Sequence, residues 1–128
     1  MIIAGVGCRR GAPAADIETA IRAALARAQI AANALDALAT IASKTTEAGI
    51  QTAAQNLGVS LVLVAEADLL ATEDRIETRS DRVRALTGLS SVAEAAALAA
   101  AGPAARLIAP RLVVGSATCA LAQSGHSS

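Results

Sequence analysis

Aromatic residues are absent from this 128-residue chain, and neither sign of charge is in excess, because 11 Lys plus Arg balance 11 Asp plus Glu. Proteins that hold single-stranded nucleic acid stack its bases on aromatic side chains, and nucleic-acid binders in general attract phosphates with a basic surface. The chain has neither feature. We therefore expect no nucleic-acid partner.

Long apolar runs are also absent, since no segment approaches the about 20 apolar residues of a membrane-spanning helix. The opening residues 1–5 lack the apolar core and basic flank of a signal peptide, so we expect a cytoplasmic protein without a membrane partner. Metal ligands are scarce: Cys8, Cys119 and the single histidine, His126, lack the spacing of a zinc site. We expect neither a bound metal nor a cofactor.

What is present suffices for a core, because 54% of the residues are hydrophobic and 17% are charged. Alanine is the most frequent residue, so the core should be aliphatic and finely packed. We expect one domain over residues 1–122, followed by a disordered tail over 123–128.

Apolar spacing in the first half of the chain predicts alternating strands and helices. The predicted elements are a buried strand over 2–6, an amphipathic helix after Pro13 with Glu18 and Arg22 paired on its exposed face, a short strand over 38–41, a helix over 50–57 capped by Gly58, and a strand over 59–64.

The second half begins with a charged segment, 66–88, which predicts a solvated loop and short helices at the edge of the core. Ser91 and Glu94 then have the spacing of a capping box that opens an alanine-rich helix. Extended segments 107–108 and 112–114, broken by Pro110, lead through a Gly115-Ser116 hairpin turn into a strand over 117–122. The whole order predicts an α/β fold: a three-layer α/β/α sandwich with a mostly parallel sheet and an antiparallel edge hairpin.

Two polar loops follow predicted parallel strands, where ligands bind in open sheets. The first, residues 5–11, combines glycines with Arg9 and Arg10, which favours a carboxylate or phosphate. Its spacing matches neither the dinucleotide fingerprint nor a P-loop. The second loop holds Lys44, the single lysine, with Glu47 three residues later. Lys44 suits pairing with a ligand carboxylate or acid-base work, or it is a solvated residue beside a helix start.

The remaining candidates each have a plainer structural reading. Cys8 is a nucleophile near a helix N-terminus or a small buried thiol, and no histidine lies near it in sequence to activate it. Glu94 is most simply the capping partner of Ser91, Ser80 is most simply a helix cap, and Thr118 is most simply a strand residue.

Five segments in order along the chain resemble a known family. They are Gly5-Val6-Gly7-Cys8-Arg9-Arg10-Gly11; Thr40-Ile41 with Lys44 and Glu47-Ala48-Gly49; Ser80 with Val83 and Gly88; Val92-Ala93-Glu94-Ala95-Ala96-Ala97-Leu98; and Thr118 with Ala120 and Ala122. Together, over about residues 2–122, they resemble the CobE family and the C-terminal domain of CbiG, both of cobalamin biosynthesis. The chain has no room for the N-terminal domain of CbiG, so it looks like free-standing CobE of the aerobic pathway.

The resemblance implies action on precorrins, which carry acetate and propionate carboxylates around an apolar macrocycle. In the anaerobic pathway, CbiG opens the lactone of a cobalt-precorrin. We expect one tetrapyrrole pocket at the strand ends, surrounded or supported by Gly7, Cys8, Arg9, Arg10, Lys44, Glu47, Ser80, Glu94 and Thr118.

Three functions remain open at this point. The first is a carrier that binds a precorrin intermediate, which we favour because the chain shows anion-binding residues without a complete nucleophile-base arrangement. The second is a small hydrolase or lyase in which Lys44 and Glu47 or Glu94 are acid and base and Cys8 is a nucleophile. The third is a structural partner of another cobalamin-biosynthesis enzyme, docking through segment 66–88.

Overall fold

The computed structural model describes residues 1–8, 11–42, 48–72, 92–102 and 104–124. The strands are β1 (Ile2–Cys8), β2 (Ala37–Ile41), β3 (Ser60–Val64), β4 (Arg106–Val114) and β5 (Ala117–Gln123), and the helices are α1 (Ala14–Arg27), α2 (Ala48–Leu57), α3 (Glu66–Leu70) and α4 (Val92–Ala101), with a 3-10 turn at Ala32–Ala34.

The strands form one five-stranded sheet in the order β3-β2-β1-β5-β4. β1 pairs in parallel with β2, and β2 pairs in parallel with β3. β5 is antiparallel to both of its neighbours, β1 and β4, so the C-terminal hairpin extends the parallel part at one side. The expected mixed sheet with an antiparallel edge hairpin is confirmed.

Helices cover both faces of the sheet, which confirms the three-layer sandwich. α1 and α2 pack on one face, over a core that includes Val6, Leu38 and Leu121. α4 packs on the other face across all five strands, with α3 beside it. Alternate residues of each buried strand point to opposite faces, so a largely apolar strand such as β1 serves both cores.

The first two helices pack as their sequences predict, and α2 also ends as predicted. α1 buries Ile17, Ile21 and Leu25 at helical spacing, and Arg22 forms an ion pair with Glu18 at 3.6 Å on its outer side. α2 ends at a Schellman motif: Gly58 adopts φ +70°, and the Val59 N–H donates to the Ala54 carbonyl at 3.1 Å.

Gly5 lets α4 lie directly against the backbone of β1. A Cβ placed on Gly5 would overlap the Ala93 carbonyl oxygen and would lie 2.7 Å from the Ala97 nitrogen. Because glycine has no side chain, the helix comes closer to the sheet than any other residue would allow. The alanine-rich surface of α4, with Ala93 and Ala97 both buried, suits this close approach.

Two expectations about the C-terminal strands need correction. The predicted break at Pro110 does not occur, because β4 continues through it as an edge strand with register shifts between Leu107 and Leu112. An edge strand tolerates proline, since its missing N–H faces away from the ladder or falls at a bulge. The predicted start of the disordered tail, residue 123, is also too early. Gln123 pairs with Ile2, and the Ser124 N–H donates to the Met1 carbonyl at 3.0 Å.

The charged segment 66–88 is described only up to residue 72. There it forms α3, whose Leu69 is fully buried, followed by Thr72, also buried, whose hydroxyl donates to the Leu69 carbonyl at 2.7 Å. This start of the segment is thus anchored in the core. In the described ranges no helix is both long and apolar enough to cross a membrane.

Candidate functional site

The helices α1, α2 and α4 all begin at one edge of the sheet, where the parallel strands end. The first turn of α1 contacts Ser116, beside the Cys8–Ala117 pair at the end of β1. Gly49, in the first turn of α2, packs against the Ala12 carbonyl. Helix N-termini carry unpaired N–H groups, so this carboxyl edge is the part of the fold best suited to an anionic ligand.

Gly7 and Thr118 meet at this edge, on the face covered by α4. They are paired residues of β1 and β5, and the Thr118 hydroxyl donates to the Gly7 carbonyl at 3.2 Å. A Cβ on Gly7 would come within 2.8 Å of the Thr118 hydroxyl oxygen and 4.0 Å of the Val92 Cβ, in the first turn of α4. The structure therefore brings Gly7 and Thr118 together at one corner, which we call the Gly7–Thr118 corner.

Cys8 lies at the same edge but packs toward the opposite face. It is the last residue of β1, is partly buried, and packs against the core beneath α1. Cys119, the other thiol, is fully buried, and burial raises its pKa to about 12. Cys119 is therefore protonated and inert at neutral pH, whereas Cys8 stays at the border of the site.

Glu94 is fully buried in the first turn of α4, and one oxygen of its carboxylate accepts a hydrogen bond from the backbone N–H of Arg111 at 2.8 Å. Arg111 belongs to β4, so this bond joins the helix to the edge strand. The sequence pattern did not anticipate this contact. The predicted capping bond involves Ser91, which lies outside the described residues.

Asp16 makes a second long-range contact that the sequence did not predict. Its carboxylate accepts hydrogen bonds from the Ser116 hydroxyl at 2.8 Å and from the Ser116 N–H at 3.2 Å. These bonds, the hydroxyl first, lower the pKa of Asp16 below its ordinary value of 3.8. Gly115 precedes Ser116 with φ +56°, as expected at the first central position of a tight hairpin, and this confirms the predicted turn. The Gly115-Ser116 turn was predicted, but no local pattern in the sequence pairs it with Asp16, which lies 100 residues away.

The charged candidates of the two loops, Arg9, Arg10, Lys44 and Glu47, lie outside the described residues, and so does Ser80. Chain connectivity nevertheless shows where the two loops join the described fold, because Arg9 follows Cys8 at the end of β1 and Ala48, just after Glu47, opens α2. Among the residues that the structure describes, no three His, Cys, Asp or Glu side chains gather as metal ligands.

Comparison with known proteins decides the family. The family model described as cobalamin synthesis G C-terminus matches residues 2–122 of the chain. The chain belongs to this family. It therefore takes part in cobalamin biosynthesis, and the resemblance seen in the sequence motifs is confirmed.

Relatives of this cobalamin synthesis G C-terminus protein include one of similar length and one that is much longer. Protein CobE of Sinorhizobium sp is 37% identical over 121 residues, which cover 94% of this chain and 79% of that protein. The cobalt-precorrin-5A hydrolase of Priestia megaterium is 37% identical over 98 residues, or 77% of this chain but 26% of that protein. The crystal structure of CobE, a protein of the cobalamin (vitamin B12) biosynthetic pathway, superposes with a TM-score of 0.89 at 37% identity, covering 95% of this chain and 89% of that one.

Proposed function

We propose that this protein binds a precorrin-type tetrapyrrole at the carboxyl edge of β1, β2 and β3 and carries it between steps of cobalamin biosynthesis. The unit that binds is the single domain expected from the sequence, acting in the cytoplasm. One observation carries the proposal: three helices begin at this edge of the sheet. The loop with Arg9 and Arg10 follows β1, and the loop with Lys44 follows β2, at the same edge.

The chemistry of precorrins fits such an edge. Their peripheral acetate and propionate groups are anions, which Arg9, Arg10 and Lys44 bind through charge-assisted hydrogen bonds. Each such bond contributes about 1.5–3 kcal/mol, so two or three of them fix the orientation of a macrocycle.

A carrier is favoured over an enzyme by what the described polar groups already do. The carboxylate of Glu94 and the hydroxyl of Thr118 are already engaged in hydrogen bonds with backbone groups. Neither arrangement is that of an activated nucleophile with its base. Binding without chemistry requires only the anion-binding loops, and the chain supplies these.

Hydrolase or lyase activity on a precorrin is the second candidate function, and the match to cobalt-precorrin-5A hydrolase favours it. Because this chain covers 26% of that protein, the activity of the whole protein transfers only as a hypothesis. In this alternative, Lys44 with Glu47 or Glu94 supplies acid and base, and Cys8 supplies the nucleophile.

The test is to mix the purified protein with precorrins from a pathway reconstituted without it, and to record the absorption spectrum and mass of bound and released pigment. A carrier retains close to one equivalent of pigment with unchanged mass. If substoichiometric protein releases pigment with an altered mass, the protein is a hydrolase or lyase and not a carrier. If pigment is neither bound nor changed until another pathway enzyme is added, the protein is a structural partner of that enzyme.

A further inference from the structure

A buried carboxylate joins the candidate site to the far edge of the sheet. Glu94 is 0% exposed, and a polar side chain that is buried in this way is stable only where hydrogen bonds within the protein replace those it made with water. The Arg111 N–H supplies one of these bonds at 2.8 Å. The donor is a backbone group, so the bond depends on the path of β4 and not on the arginine side chain.

The path of β4 makes that donor available. Pairing with β5 runs from Ala109–Leu121 to Leu112–Cys119, so Pro110 and Arg111 together face the single residue Ala120. This two-against-one arrangement is a β-bulge, which re-aims backbone groups out of the ladder. Pro110 has no N–H to offer, and the N–H of the next residue turns to the Glu94 carboxylate.

The other end of the connection is the Gly7–Thr118 corner. Glu94 sits in the same first turn of α4 as Val92, which borders Gly7, and next to Ala93, whose carbonyl packs against Gly5. Any shift of this turn relative to the sheet therefore moves the wall of the corner. The bond from Glu94 to the bulge opposes such a shift.

We propose that Glu94 is a positioning residue of the tetrapyrrole site: its carboxylate holds the first turn of α4 against the sheet through the Arg111 N–H, and it makes no contact with the ligand. This inference rests on the proposed function, because that proposal is what makes the Gly7–Thr118 corner part of a tetrapyrrole site. It replaces the sequence-based view of Glu94 as a ligand-binding or acid-base residue.

The experiment compares Glu94→Gln with Glu94→Ala, because glutamine keeps the size of the side chain and an acceptor oxygen but removes the charge. The first measurement, made without ligand, is hydrogen exchange of the Arg111 amide together with the amide chemical shifts of Gly7 and Thr118. We expect Glu94→Ala to speed exchange at Arg111 at least tenfold and to move the corner signals. Glu94→Gln should stay within about threefold of the wild type in exchange.

The second measurement is the affinity for the precorrin used above, at a temperature where each variant is folded. Glu94→Gln should bind within about threefold of the wild type and Glu94→Ala at least tenfold more weakly. The matched control is Arg111→Ala, which keeps the backbone N–H and should leave exchange and affinity unchanged. If Glu94→Ala does not fold, the Arg111 exchange and the precorrin affinity of Glu94→Gln alone decide whether Glu94 is a positioning residue.

Loss of affinity in Glu94→Gln with Arg111 still protected would overturn the positioning role, because it would show that the charge itself meets the ligand. Unchanged Arg111 exchange in Glu94→Ala would overturn it as well. If the wild type binds no precorrin, the proposed function fails, while the ligand-free measurements still decide whether Glu94 holds the corner.

Discussion

Replacing Gly5 by alanine tests the close contact between α4 and β1. The new Cβ would overlap the Ala93 carbonyl oxygen and would approach the Ala97 nitrogen and Cβ to 2.7 and 2.9 Å. Two of these atoms belong to the helix backbone, so no side-chain rotation relieves the overlap, and the helix must move away from the sheet. Overpacking of this kind costs about 1–3 kcal/mol, and backbone against backbone places Gly5→Ala at the upper end.

For a chain of this length, about 3 kcal/mol lowers the melting temperature by roughly 10 °C. Thermal unfolding followed by circular dichroism at 222 nm measures this shift. Gly58→Ala is the matched control, because Gly58 has open space around its Cβ position and φ +70°. Its cost is the left-handed backbone penalty alone, about 1 kcal/mol. The reasoning is refuted if Gly5→Ala melts within 2 °C of the wild type or no lower than Gly58→Ala.

Two further predictions concern the described titratable groups. Because the folded pKa of Asp16 is lowered, its ionised form stabilises the fold above the ordinary value of 3.8, and this contribution is lost as the pH falls through the folded pKa. Asp16→Asn should therefore melt below the wild type at pH 7 and approach it at pH 2–3; an equal difference at both pH values would contradict this. In a Cys8→Ala background, Cys119 should react with a thiol reagent at pH 8 only after unfolding, since burial raises its pKa to about 12. Rapid labelling of the folded protein would show that Cys119 is accessible.

The order of elements could be predicted from the sequence because it depends on local signals. The spacing of Ile17 and Leu25, the glycine after α2 and the Gly115-Ser116 turn each act over a few residues, and each appears as expected. The predicted break at Pro110 was wrong because proline interrupts strands in the interior of a sheet, whereas β4 is an edge strand. Which strand lies at the edge depends on the whole fold and not on the local sequence.

The site was harder to predict because its ties join distant parts of the chain. Asp16 and Ser116 are 100 residues apart, and Glu94 bonds to a backbone N–H, which carries no sequence signature. Gly7 and Thr118 are paired on β1 and β5, a contact that no local sequence pattern signals, and their role in a ligand site stays a prediction from the family motifs. The contributions of Arg10, Lys44 and the other charged loop residues stay predictions.

The central claim is that the charged loops at the carboxyl edge bind the carboxylates of a precorrin. The most direct measurement is a spectroscopic titration of precorrin into the wild type, Arg10→Ala and Lys44→Ala, with Arg27→Ala as control. Arg27 is exposed in the last turn of α1, at the other end of the helix from the site, so its loss changes the net charge equally. The account predicts that Arg10→Ala and Lys44→Ala each weaken binding by about 10- to 150-fold, the equivalent of one charge-assisted bond, with melting temperatures unchanged. Equal affinity in all four proteins would contradict it.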